Sequence, residues 1–157
     1  MIIFTPNTVI KSADVNTNFS GLDTRADNLE NPVYYNGDIQ TEITGTTYKV
    51  LGPNRELING ITKTNTSTLT VTVKGIYFIH IQQLIQATVN AGYFEIRINN
   101  ATATYGYYTG SSFNDVPATV IRELNINDTI RVYQTAAITS SWAVGHSDIS
   151  VFLIRRT

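Results

Sequence analysis

The sequence predicts an all-β protein, an antiparallel jelly-roll sandwich preceded by a short coiled-coil helix and covered in part by copies of itself. Three observations lead there. Val15, Phe19, Leu22, Ala26 and Leu29 are spaced by four, three, four and three residues, which is a helical seam. Beyond Pro32 the chain breaks into short alternating runs separated by turn residues. Several of these runs are apolar on both faces, so they need a covering surface on each side.

Composition sets the limits. A chain of 157 residues holds one ordinary domain and a short appendage. Charged residues make up 15 %, and the net charge is −1, so no basic stripe is available to meet a phosphate backbone and nucleic acid is not an expected partner. Arg155 and Arg156 are the only adjacent cationic pair. With no cysteine the chain has no disulfide framework, thiolate metal site or thiol nucleophile. The opening Met1-Ile2-Ile3-Phe4 is too short and lacks the basic flank of a signal peptide. No apolar run approaches the roughly 18 residues of a membrane helix, so membrane insertion is not expected.

Taken in order, residues 1–11 contain a short apolar piece, Pro6 and the pair Val9 and Ile10, a segment unable to fold alone. Ser12 or Asp14 is placed to cap a helix, and residues 12–31 carry the seam, with Val15, Leu22 and Leu29 at d and Phe19 and Ala26 at a. Arg25 then falls at g and Glu30 at the following e, the spacing of an interchain ion pair. So short a helix is marginal in water, so a larger oligomerising domain must support it, or its apolar face packs on its own domain. Asn31-Pro32 ends it.

Residues 32–157 form the head domain. Asn36-Gly37, Gly52-Pro53, Asn59-Gly60, Gly75, Asn90, Asn99-Asn100, Gly110, Asn125 and Gly145 read as turns. Strands are expected at 42–51, 68–73, 76–86, 93–98, 101–108, 116–124, 129–135 and 148–154, about eight, which suits a jelly roll. In 76–81 one face carries Ile76, Phe78 and His80 and the other Tyr77, Ile79 and Ile81. In the last strand Ile149, Val151 and Leu153 oppose Phe152 and Ile154. With no helices to cover the second face, a copy of the chain is expected to do so.

No catalytic motif is present, and no catalytic residue or cofactor is expected. The two histidines, His80 and His146, have no metal-type spacing, and no Gly-x-Ser-x-Gly elbow occurs. His80 reads as a packed interface residue and His146 as a loop residue. Asp115, Glu123, Asp128 and Asp148 would have to converge within about 5 to 9 Å to cleave a glycoside. The Asn127-Asp128 turn could bind calcium, but a lone Asp there reads more simply as an Asx turn, so no metal site is assigned. Tyr105, Tyr107, Tyr108 and Phe113, with the intervening glycines and hydroxyls, combine aromatic plates with polar groups, the surface chemistry that holds sugars or protein epitopes. Trp142 is a second contact candidate. Each could equally be buried in the sandwich or an interface.

Gly75-Ile76-Tyr77-Phe78-Ile79 resembles the Gly-x-Tyr-x-Phe strand of the tumour necrosis factor and complement C-one-q family. Leu124-Asn125-Ile126-Asn127-Asp128-Thr129-Ile130-Arg131-Val132 is similar to its Leu-x-x-Gly-Asp-x-Val-x-Val segment, and Ile149-Ser150-Val151-Phe152-Leu153-Ile154 to its closing strand. Ile79, Asn127 and Val151 depart from that pattern. Across roughly residues 40–157 the resemblance implies a trimer packed through inner sheets around a threefold axis, with Phe78, His80, Tyr133 and Phe152 at the interface. Residues 4–19 resemble the opening of bacteriophage tail-fibre and head-fibre proteins, which implies a virion anchor in residues 1–11 and a trimeric stalk in 12–31.

Together these resemblances imply a homotrimeric phage spike or fibre on the outer surface of the virion. Its N-terminus would attach to a head or tail protein and its head to a host-surface glycan or protein. Capsid decoration without receptor binding and a glycan-degrading fibre are the alternatives.

Overall fold

The computed structural model describes residues 26, 31–39, 47–86, 91–109, 113–134 and 147–157. The chain divides into two units, Met1–Pro32 and Val33–Thr157. In the first, Ala26 is helical and exposed; Val15, Phe19, Leu22 and Leu29 lie outside the described residues.

The second unit is an antiparallel β-sandwich. Its strands are β1 (Tyr34–Ile39), β2 (Thr47–Tyr48), β3 (Leu51–Asn59), β4 (Ile61–Asn65), β5 (Thr68–Val71), β6 (Gly75–Gln86), β7 (Ala91–Ile98), β8 (Ala101–Thr109), β9 (Phe113–Leu124), β10 (Thr129–Gln134) and β11 (Asp148–Arg156). One sheet has the order β3-β1-β11-β6-β9; the other runs β4-β5-β10-β7-β8, with β2 added to β10. This is the jelly-roll arrangement, in which strands distant in sequence become neighbours.

Alternation decides which side chains meet between the sheets. Tyr77, Ile79 and Ile81 of β6, Ile149 and Val151 of β11, Phe94 and Ile96 of β7, and Ile130 and Val132 of β10 are all fully buried. Each such side chain contributes about 1.5–3 kcal/mol by leaving water. Tyr77 keeps its phenol satisfied by donating to the carbonyl of Val73 at 2.7 Å, and burial pushes its pKa up to about 12.

The core is not wholly apolar. Lys49 is fully buried with no partner for its Nζ among the described residues, and burial pulls its pKa down to about 8. Among the described residues Gln83 is also fully buried, with both amide atoms unpartnered, and the hydroxyl of Tyr35 is likewise buried without a partner. Burial raises the Tyr35 phenol well above its ordinary range.

Several sequence expectations are corrected. Among the described residues there are eleven strands in place of about eight. Asn36-Gly37 is not a turn: it lies inside β1, which pairs with β3 on one side and β11 on the other, and this long-range pairing overrides the local turn preference. The strand expected at 42–51 is interrupted, because Lys49 and Val50 separate β2 from β3. Gly52-Pro53 falls within β3, the edge strand of its sheet and therefore a place where a residue without an N–H is tolerated. Gly60, with φ of 66°, does form the turn between β3 and β4. Asn99 and Asn100, with φ of 51° and 67°, join β7 to β8 in the two-residue turn whose twist matches paired strands.

Candidate functional site

The two sandwich faces differ in chemistry. On the β6-side sheet, strand register sets Tyr34 opposite Phe152, Phe152 opposite Phe78, and Phe78 opposite Ile121, a row of large apolar side chains crossing four strands. Ile121 is 62 % exposed and Phe152 43 %. Leu57 and Ile154 are exposed as well. Beside this row runs a polar one: Asn36 Nδ2 donates to Ser150 Oγ at 2.7 Å, and His80 Nδ1 lies 2.8 Å from Thr119 Oγ1. The His80 ring stacks on Phe78 with centroids 6.1 Å apart.

The opposite sheet presents a groove of ≈ 490 Å³ lined by Tyr93, Glu95, Thr102, Tyr105 and Tyr107. Its walls come from β7 and β8, whose register places Tyr93 opposite Tyr107 and Glu95 opposite Tyr105. Gly106 faces inward against Phe94 and Val116, so Tyr105 and Tyr107 point outward, 61 % and 58 % exposed. The Tyr93 and Tyr105 rings lie 5.8 Å apart at 57°.

Glu95 is nearly buried. Its Oε2 accepts from Arg97 Nε at 2.5 Å and from Thr102 Oγ1 at 2.8 Å. Arg97 in turn lies over the ring of Tyr133, 3.6 Å from its centroid, and Tyr133 meets Tyr48 edge-on at 5.1 Å. Arg131 covers Tyr48 at 4.9 Å and donates from Nη1 to Asn100 Oδ1 at 3.0 Å. The hydrogen bond from Arg97 holds the Tyr48 phenol below its ordinary pKa. The groove is thus a row of aromatic plates with a carboxylate whose position is fixed by a stacked arginine.

No protein-family model and no curated protein sequence matches the chain. Solved structures do. Murine APRIL at pH 8.5 aligns with a TM-score of 0.63 and 16 % identity over 78 % of this chain and 98 % of that one. The Eiger TNF of S. frugiperda aligns with a TM-score of 0.60 and 12 % identity, covering 81 % and 95 %. Pika GITRL aligns at 0.56 and 13 %, covering 80 % and 98 %. The chain has a tumour necrosis factor-like jelly-roll fold.

On this TNF-like sandwich the residues singled out in the sequence are distributed unevenly. Phe78, His80 and Phe152 share one face, as the alternation of β6 and β11 requires. Tyr133 does not join them: β10 belongs to the other sheet, where the ring supports Arg97. Tyr105 and Tyr107 line the groove. Tyr108 lies in β8 and Phe113 in β9, but their side chains, like Trp142 and His146, lie outside what is described.

The four carboxylates fall in three places: Asp115 and Asp148 both flank Gln82, whereas Glu123 and Asp128 each have partners of their own. Asp115 accepts from Gln82 Nε2 at 2.8 Å, and Glu123 accepts from Thr157 Oγ1 at 2.8 Å and lies 3.6 Å from Lys74 Nζ. Asp148 sits opposite Gln82 in the β11–β6 register. Asp128 accepts from the Asn125 N–H at 2.8 Å and from Asn99 Nδ2 at 2.7 Å, which makes it a turn lock joining two loops. Among the described residues no group of three or more His, Asp or Glu is placed to hold a metal. Glu95, Arg97 and Thr102 were missed in the sequence. For Glu95 and Arg97 the signal was their alternation with Tyr93 along β7, which puts all three on one face; Thr102, in β8, carried none.

Proposed function

We propose that this chain is the subunit of a homotrimeric bacteriophage spike or fibre, carried on the outer surface of the virion, whose TNF-like head binds a host-cell surface. Residues 1–11 would attach to a head or tail protein, 12–31 would form the trimeric coiled coil, and 32–157 the head. The observation that carries the reading is the row Tyr34, Phe152, Phe78 and Ile121, with Phe152 and Ile121 exposed and Tyr34 and Phe78 half-buried between the strands, an apolar surface suited to burial against sister subunits. The aromatic groove lies on the opposite sheet and stays free for a ligand. Three such sites on one rigid head give tight attachment wherever the receptor is repeated at a matching span.

The resemblance of residues 4–19 to fibre openings supports the virion placement. Binding rather than catalysis is favoured by the placing of Glu123 and Asp128 in networks apart from the pair Asp115 and Asp148 that flanks Gln82.

Solution molar mass, with a variant lacking residues 1–31 run beside the intact chain, tests the assembly. A trimer is expected in both, and Ile121→Lys with Phe152→Lys should shift it to monomer by weakening association about a hundredfold or more. A monomeric intact chain overturns the reading. Binding of the labelled trimer to host cells tests attachment; a trimer that decorates virions but never binds cells assigns it to capsid decoration instead.

A further inference from the structure

We infer that the groove formed by Tyr93, Glu95, Thr102, Tyr105 and Tyr107 takes a pyranose sugar that is uncharged or carries an amine, and rejects acidic sugars. The inference rests on the head being an attachment module, and it names the ligand class of that module.

A pyranose ring has an apolar C–H face and an equator of hydroxyls, and the groove supplies a partner for each. Tyr105 and Tyr107 hold their rings outward on a strand whose register with β7 is pinned by the Asn99-Asn100 turn. A sugar's C–H face laid on them removes apolar surface from water and asks for no hydrogen bond. At the groove floor Glu95 offers carboxylate acceptor capacity beyond the two hydrogen bonds it takes from Arg97 and Thr102. Those two bonds fix the carboxylate in advance, so little freedom is lost when a hydroxyl or ammonium donates to it.

Charge decides the class of sugar. The arginine nearest the groove is already committed: Arg97 donates from Nε to Glu95 and from Nη1 to the Tyr48 hydroxyl at 3.4 Å, and its plane lies on Tyr133. An incoming carboxylate would meet Glu95 with no uncommitted cation among the described lining residues to receive it, whereas a hydroxyl or ammonium meets an acceptor. A volume of ≈ 490 Å³ falls within the range of small-molecule sites and admits a short oligosaccharide.

Calorimetric titration of the full-length protein with the methyl glycosides of glucosamine, N-acetylglucosamine, glucose and glucuronic acid tests this. At least one of the first three should bind, with the glucuronide about tenfold or more weaker. Tyr105→Ala and, separately, Tyr107→Ala should each lower affinity about tenfold with an unchanged melting temperature, since both rings are exposed. Glu95→Gln should narrow the gap between glucosamine and the glucuronide. The inference is overturned if no glycoside binds at about 10 mM, if the glucuronide binds as well as the others, or if both tyrosine variants bind normally. Periodate oxidation of host cells separates the two levels: cells that still bind the trimer after their sugars are destroyed leave attachment standing and sink the sugar assignment, whereas sugar binding without cell binding does the reverse.

Discussion

The guanidinium of Arg97 lies 3.6 Å from the centroid of the Tyr133 ring while its Nε donates to the nearly buried carboxylate of Glu95. One cation therefore ties β10 to β7 and positions the charged residue among those described as lining the groove. Arg97→Met should cost about 2–3 kcal/mol, because Glu95 is left buried without its cation. Tyr133→Leu should cost about 1 kcal/mol, and the double variant should show a coupling of about 0.5–2 kcal/mol in a urea-unfolding cycle. Strict additivity would mean that the stacked contact contributes nothing.

Lys49 makes stability depend on pH in an unusual direction. Its pKa is about 8 in the folded chain against 10.5 for an ordinary lysine, so between those values the unfolded chain holds more protons than the folded one. Stability should therefore rise as pH goes from about 8 toward 10.5, and should be fully reduced by this group below 8. Above about 10 the trend reverses, because unfolded phenols ionise there while buried Tyr35 and Tyr77 resist. Lys49→Met should stabilise the protein at pH 7 by about 2 kcal/mol and abolish the rise, as measured by chemical denaturation across that range.

Gly106 sits between Tyr105 and Tyr107, and a methyl group there would lie 2.7 Å from Phe94 Cζ and 2.8 Å from Val116 Cγ1. Gly106→Ala should destabilise by about 1–3 kcal/mol, since both neighbours belong to the core. Because relief requires β8 to shift outward, thermal unfolding and saccharide titration should worsen together. An unchanged melting temperature would show that the core yields there at no cost.

Asp128 locks the turn before β10 by accepting from Asn125 N and Asn99 Nδ2. Asp128→Ala should cost about 1–2 kcal/mol through the N–H and amide left without that acceptor. Asp128→Asn, which keeps one acceptor oxygen, should lose about half as much. Equal losses in the two variants would mean that the second hydrogen bond carries all of the effect.

What could be read from the chain followed the range of the interactions involved. Alternation in Thr129 to Gln134 reports a strand and its buried face, because side-chain direction along a strand repeats every two residues whatever the strand pairs with, whereas Tyr77 to Ile81, apolar on both faces, reports a strand without telling which face the core takes. Asn99-Asn100 announces its turn for an equally local reason, since asparagine tolerates positive φ. Gly75-Ile76-Tyr77 and the segment 124–132 carried enough of a family pattern to place the fold.

Tertiary structure decided the rest. β1 forms through Asn36-Gly37 because β3 and β11 flank it, and no local preference encodes those partners. Tyr133 and Phe78 looked alike as aromatic residues in strands of the head, yet β10 and β6 belong to different sheets, and strand order separates them. The groove is a product of the same pairing: Tyr105 was visible in the sequence as an aromatic plate, but only the β7–β8 register sets Glu95 opposite it, and only the β10–β7 register brings Tyr133 beneath the arginine that holds Glu95 in place.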